Sequence, residues 1–208
     1  MLGRTMSWHA PKLLLVLLLG SLFAMRYGHW RAADEPRGRC GPAYLCTGLY
    51  ALCTSAPCGP LNDGTYTCDC DVMYGERMSG VTCDQVQPVR DRDGTTTVYS
   101  QFSLAQAPTH DVMTCPAGAP WTWCLDVKCT IEPGNSTKAT CSCTPPKHPD
   151  IPWITLGGNC NTKTCATANW SGASNTDFQC GVEFLRAHGD RTPVTSCPTT
   201  NAAGECGR

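Results

Sequence analysis

The chain has 208 residues, with 16 basic and 17 acidic side chains, a formal net charge of −1 and 17 cysteines. With no basic excess and no Lys/Arg cluster it carries no electrostatic footprint for nucleic acid or for an anionic membrane surface. Sixteen prolines, 20 glycines and few long apolar stretches exclude a large aliphatic core, so crosslinks have to supply what packing cannot.

Arg4 and Lys12 precede an apolar run from Leu13 to Ala24, about the length of a signal-peptide core and short of the roughly 20 residues a bilayer span needs. Residues 1–24 are therefore read as a signal peptide. Leu22 stands where a small residue is preferred and Arg26 and Arg31 follow closely, so an uncleaved anchor stays open as the alternative. Removing residues 1–24 leaves 14 basic and 17 acidic side chains. Export agrees with the cysteine usage, because disulfides persist in the periplasm or outside the cell and not in a reducing cytosol. Thiolate metal binding fits poorly: no two cysteines are separated by two residues, and His9, His29, His110, His148 and His188 do not gather at zinc-site spacing.

Residues 25–39 read as an exposed lead-in. Residues 40–84 form a first cysteine module with Cys46, Cys53, Cys58, Cys68, Cys70 and Cys83. Within it Asn62-Asp63-Gly64 is a turn signal running into β-favouring Thr65, Tyr66 and Thr67, which predicts a small hairpin. Residues 85–114 are a β-containing connector. There Asp91-Arg92-Asp93-Gly94 reads as a turn, since Phe102 stands where a calcium loop would need Glu. The stretch Thr95–Leu104 alternates Val98, Phe102 and Leu104 with Tyr99, Gln101 and Ser103, as a half-buried strand does. Its expected partner is the segment around Val86–Arg90, which Pro88 confines to an edge.

Residues 115–162 form a second module with Cys115, Cys124, Cys129, Cys141, Cys143 and Cys160, and with prolines 145, 146, 149 and 152 in its last loop. Residues 163–208 are a helical, cysteine-containing C-terminal segment. In it Ser174–His188 begins with helix-capping types, puts Phe178, Val182 and Leu185 on one face and stops at Gly189. The fold class is thus small, disulfide-rich and mainly β/loop, with two related cysteine modules carrying short hairpins plus one C-terminal helix.

The two cysteine runs share their order. Each has a Cys-x4-Cys step, then Cys-x-Cys, then a Gly-containing approach to the last cysteine, with intervals of 6, 4, 9, 1, 12 and 8, 4, 11, 1, 16. The first, with Gly64-x-Tyr66-x-Cys68-x-Cys70 and Gly80-Val81-Thr82-Cys83, resembles an epidermal-growth-factor-like module. The second departs from it at Ala139, where that pattern has an aromatic. The resemblance implies Cys46–Cys58, Cys53–Cys68 and Cys70–Cys83, then Cys115–Cys129, Cys124–Cys141 and Cys143–Cys160; spacing alone leaves fifteen pairings open for each six cysteines. Trp123-Cys124-Leu125-Asp126 and Lys138-Ala139-Thr140-Cys141-Ser142-Cys143 also make the whole chain similar to exported cysteine-rich bacterial proteins of uncharacterised role. Cys180, near the helix start, reads as bridged to Cys165 or Cys197, and the odd total leaves at least one thiol over.

Nucleophile-elbow, His-Glu-x-x-His, phosphate-loop and dinucleotide signatures are absent from the sequence, and no cofactor or metal is expected. Two His–carboxylate pairs remain, His110 with Asp111 and His188 with Asp190. A histidine held by a carboxylate can act as general base on water or a hydroxyl, although both pairs fall in segments where a solvated histidine is the commoner state. Trp121, Trp123, Trp153 and Trp170 are candidate ligand contacts, at least two of them better placed in a core short of aliphatics. The leading function is an exported, disulfide-stabilised binding or interaction protein, secreted or periplasmic. Its expected partner is an extracellular or periplasmic protein, a glycan or a small molecule, with no nucleic acid and no membrane span after signal cleavage. The alternative is a small exported hydrolase of ester or lactone bonds, for example acyl-homoserine-type signal lactones, with His110 or His188 as base and Asp111 or Asp190 orienting it.

Overall fold

The computed structural model describes residues 40–157 and 160–198. The signal segment 1–24, the lead-in 25–39 and the tail with Cys206 lie outside the described residues. No helix among the described residues is long and apolar enough to cross a membrane.

The described residues open with β1 (Tyr44–Leu52), β2 (Pro57–Asn62) and the 15-residue β3 (Thr65–Ser79). Asp63 and Gly64, at φ 48° and 80°, close the β2–β3 hairpin. Two successive positive φ values are what a two-residue turn needs to match strand twist, and Asp-Gly tolerates them. The first half of β3 lies between β2 and β9 (Lys138–Cys143), and its second half pairs along the whole of β1. Beyond β9 come β8 (Lys128–Ile131), β5 (Thr96–Tyr99) and, at the edge, β4 (Val89–Arg90) directly after Pro88. Beyond β2 come β11 (Asn169–Ser171) and β7 (Trp121–Thr122), which makes a nine-stranded sheet. A second sheet joins β6 (Asp111–Cys115), β10 (Trp153–Gly157) and β12 (Ala173–Ser174). Helix α1 (Asn175–Ala187) follows β12 directly; Ser174 Oγ accepts from the Asp177 amide, and Gly189 at φ 98° ends the run.

The strand expected over Thr95–Leu104 divides in two. Up to Tyr99 it is β5, paired with β4 as anticipated. From Ser100 to Ser103 the chain is covered on both sides: the Gln101 amide donates to Ala51 O, while Met78 and Phe102 exchange amide bonds. Ser100, Gln101 and Ser103 are consequently all buried, where alternation had put Gln101 and Ser103 on the wet face.

The two cysteine runs meet in the middle of the large sheet. In the β3–β9 ladder Cys68 faces Cys141, Cys70 faces Ala139 and Tyr66 faces Cys143, an approximate local twofold that exchanges the runs. Each run closes two nested bridges. The inner ones, Cys58–Cys68 and Cys129–Cys141, join directly opposed residues at Cα separations of 4.0 Å. The outer ones are Cys53–Cys70 and Cys124–Cys143. Cys53 Sγ lies 3.5 Å from Cys141 Sγ and Cys124 Sγ 3.8 Å from Cys68 Sγ, so the outer bridge of each run packs on the inner bridge of the other. Seven of these eight cysteines are buried and, with Ala51, Val98 and Ile131, they form the core. Half-cystine here fills the role of a small aliphatic side chain.

This connectivity replaces the one the growth-factor-like resemblance implied. None of the six implied bridges forms: Cys46 goes to Cys83, Cys115 to Cys165 and Cys160 to Cys197. The hairpin register is the cause. It sets Cys58 opposite Cys68 and Cys129 opposite Cys141 on one buried face, within reach of each other and away from Cys46 and Cys115. Cys180 joins Cys40, neither Cys165 nor Cys197.

Candidate functional site

A cavity of about 690 Å³ lies between α1 and the sheets, within the size range of small-molecule pockets. Its wall is mostly apolar. Phe178 and Phe184 contribute from the helix, Phe102 and Met78 from the crossing of β3 with the 100–103 segment, and Ile154 and Trp123 from the opposite side. The strap Cys40–Ala43, tied to the helix through Cys180, forms a further part of the wall. Two glycines let the walls approach. A Cβ on Gly181 would stand 2.8 Å from the Phe102 ring, and one on Gly172 would stand 2.5 Å from Trp153 Cε3.

The charged residues of the lining, Lys147, Asp177 and Glu183, are all solvent-exposed. The buried polar lining is neutral: Ser100, Gln101, Thr155 and Ser171, with Thr54 partly covered beside them. Thr155 Oγ1 donates between Thr54 O (2.9 Å) and Ser171 O (3.0 Å). Thr54 Oγ1 is buried without a hydrogen-bond partner among the described residues, and Gln101 Nε2 is buried without a well-aligned one.

Behind this wall sits a polar network. The Arg77 guanidinium is fully buried, donates through Nε to Gln101 Oε1 and through Nη1 to Gly75 O, and lies 5.3 Å over the Tyr50 ring. Tyr50 in turn donates to Ser103 Oγ at 2.7 Å. Gly48 faces Gly75 across the β1–β3 ladder, and a Cβ at Gly48 would reach 3.5 Å from Nη1. Asp126, at φ 58°, accepts from Ser79 Oγ (2.8 Å) and from the Gly80 amide (2.7 Å). Burial pushes the Asp126 carboxyl above its ordinary range, against hydrogen bonds from Ser79, Gly80 and the Gln101 amide that hold it down. Burial likewise lowers Arg77 and raises Tyr50.

The histidines anticipated as bases have other partners. His110 Nδ1 lies 2.9 Å from Thr109 Oγ1 and 3.3 Å from Gln106 O, while Asp111 Oδ2 lies 3.6 Å from Cys160 Sγ. His188 Nδ1 lies 2.8 Å from Phe184 O with its ring tilted at 38° against the Phe184 ring, while Asp190 accepts from the Thr192 amide. Among the described residues no hydrogen bond joins either histidine to its carboxylate, and none of these four residues lines the cavity.

The four tryptophans share one apolar cluster. Trp121 and Trp153 are buried and stack at 5.9 Å, and Trp153 Nε1 donates to Ala119 O. Trp170 is half-buried and donates to Thr164 O; of the four, Trp123 alone lines the cavity. Every close group of metal-ligating atom types among the described residues consists of bridged sulfurs, in one case beside Asp111. Bridged sulfur is no thiolate ligand.

Thr54, Gln101 and Asp126 carry no signal in the sequence that marks them as site residues. A threonine after a half-cystine and a glutamine in an alternating strand both read as solvent-facing. No protein family, curated protein or solved structure matches the chain.

Proposed function

We propose that this is an exported binding protein, working outside the cytoplasm, whose ligand is a small molecule held in the cavity under α1. The supporting observation is the cavity itself: about 690 Å³ of mainly apolar space bounded by segments that the Cys40–Cys180, Cys53–Cys70 and Cys124–Cys143 bridges fix. Preformed apolar pockets with a few oriented polar groups are the usual form of small-molecule sites. Eight bridges suit an oxidising compartment, and the apolar run 13–24 supplies a route to it.

The test is a ligand screen on the purified, oxidised protein by thermal shift, with tryptophan fluorescence as second readout. A specific ligand stabilises the fold by mass action and perturbs Trp123. If no neutral, anionic or cationic small molecule shifts the melting curve, the proposal fails. The ester- or lactone-hydrolase alternative is tested on the same preparation with chromogenic esters and lactones: turnover that disappears in His110→Ala or His188→Ala would establish it in place of simple binding.

A further inference from the structure

We infer that the cavity selects an uncharged, largely apolar molecule that carries one hydrogen-bond-accepting oxygen at its buried end, with Thr54 as the residue that reads this oxygen; this deepens the binding reading and rests on it.

The distribution of charge along the cavity is the first ground. The charged lining side chains, Lys147, Asp177 and Glu183, stand in solvent, and the buried part of the lining holds none. An ion taken into that interior would lose its hydration and meet no charged side chain on the buried lining itself, an unfavourable exchange. A carboxylate or ammonium ligand is thereby disfavoured at depth, whereas a ketone, alcohol or ether is not.

The second ground is the state of the buried polar groups. The Thr155 hydroxyl is taken up by the Thr54 and Ser171 carbonyls. Thr54 Oγ1 does not: it is buried in the lining with its hydrogen free to donate. The Gln101 amide, 3 % exposed, has its oxygen taken by Arg77 and its Nε2 turned to the Asp126 carboxylate, which leaves Thr54 as the donor without a partner on this lining. Buried donors without partners are costly and uncommon in folded proteins, and an acceptor oxygen brought by the ligand would relieve that cost. The remaining contact surface, led by Phe102, Phe178, Phe184 and Trp123, asks for a hydrocarbon body.

Binding of the neutral fluorophore N-phenyl-1-naphthylamine to the oxidised full chain, displaced in turn by 2-nonanone, n-nonane and nonanoate, tests this. The expected order is the ketone strongest, the alkane weaker and the carboxylate weakest. Thr54→Val, which keeps shape and removes the donor, should weaken the ketone by about 5- to 10-fold and leave the alkane within about 2-fold. The alkane serves as the fold control, because a general structural loss would weaken both. Nonanoate binding as tightly as 2-nonanone, or Thr54→Val weakening ketone and alkane alike or neither, overturns the inference and leaves the binding reading standing. Failure of the fluorophore and of all three competitors to bind overturns both.

Discussion

Removing the bridge between Cys40 and Cys180 measures how far crosslinks, in place of packing, hold the cavity closed. Their sequence separation is 140, and a bridge over an otherwise open loop of that length would contribute about 5 kcal/mol through the entropy of the unfolded chain. The unfolded chain is not open, however. With the other bridges intact, the shortest route from Cys40 crosses Cys46–Cys83, runs on to Cys115, crosses to Cys165 and continues to Cys180. That leaves about 55 residues of free chain, and the same relation then gives about 4 kcal/mol. Packing adds little, because Cys40 is exposed and Cys180 only half-buried, so Cys40→Ala with Cys180→Ala opens no hole in the core. The expected result in urea denaturation followed by tryptophan fluorescence is a loss of about 2 to 4 kcal/mol, with the other seven bridges intact by mass-spectrometric mapping. Affinity for any cavity ligand should fall as well, since the strap Cys40–Ala43 is part of the wall. A loss under about 1 kcal/mol with seven native bridges would refute the argument and show that Ala43 and Leu45, packed on the helix cluster, hold the strap by themselves.

Graded reduction with iodoacetamide trapping should label Cys40 and Cys180 first and the buried pairs Cys53–Cys70, Cys124–Cys143 and Cys129–Cys141 last; early labelling of Cys129 and Cys141, which are 1 % and 0 % exposed, would contradict the sulfur core. Gly172→Ala should destabilise the fold by about 1 to 3 kcal/mol, the usual cost of overpacking, because its Cβ would stand 2.5 Å from Trp153 Cε3 and 2.8 Å from Ile154 O; an unchanged melting temperature would mean that β10 and β12 are not this close. Asp126 predicts a pH dependence. Its carboxyl is raised in the folded state, so its contribution is fully present below the unfolded value near 4 and is lost as pH rises through the higher folded value. The stability of wild type relative to Asp126→Asn should therefore fall as pH is raised from about 3.5 through that window; a relative stability that rises over the same range would reverse the assignment.

The parts of the fold legible in the sequence are those that local chemistry determines. Asp63-Gly64 specifies the turn of the first hairpin whatever surrounds it, Ser174 and Gly189 bracket the helix, and Pro88 marks the edge strand. What escaped depends on contacts between distant segments. The β3–β9 ladder joins residues 66–71 to 138–143, and nothing in either strand's alternation names the other as its neighbour. The disulfide pairing escaped for the same reason: it follows the hairpin register, which cysteine spacing does not encode. Nothing in the sequence marks Arg77 for burial, which follows from the 100–103 segment crossing β1 and β3. The cavity is assembled from the strap, both sheets and the helix, so no contiguous motif could announce it.

The twofold between the two runs also accounts for the departure at Ala139. Position 139 is the counterpart of Tyr66, and the two environments differ: Tyr66 is half-buried, whereas Ala139 is 2 % exposed beneath its neighbours. A duplicated hairpin pair can keep its sulfurs symmetric because each outer bridge rests on the other run's inner bridge, but the flanks of that pair meet different parts of the chain. The four bridges of the twofold centre make a core; the other four, Cys40–Cys180, Cys46–Cys83, Cys115–Cys165 and Cys160–Cys197, attach the single-copy segments around it. The cavity lies where the two sets meet, with Cys53 and Cys124 from the first and Cys40 and Cys180 from the second in its lining. Its shape should for that reason be more sensitive to the attaching bridges than the stability of the core is.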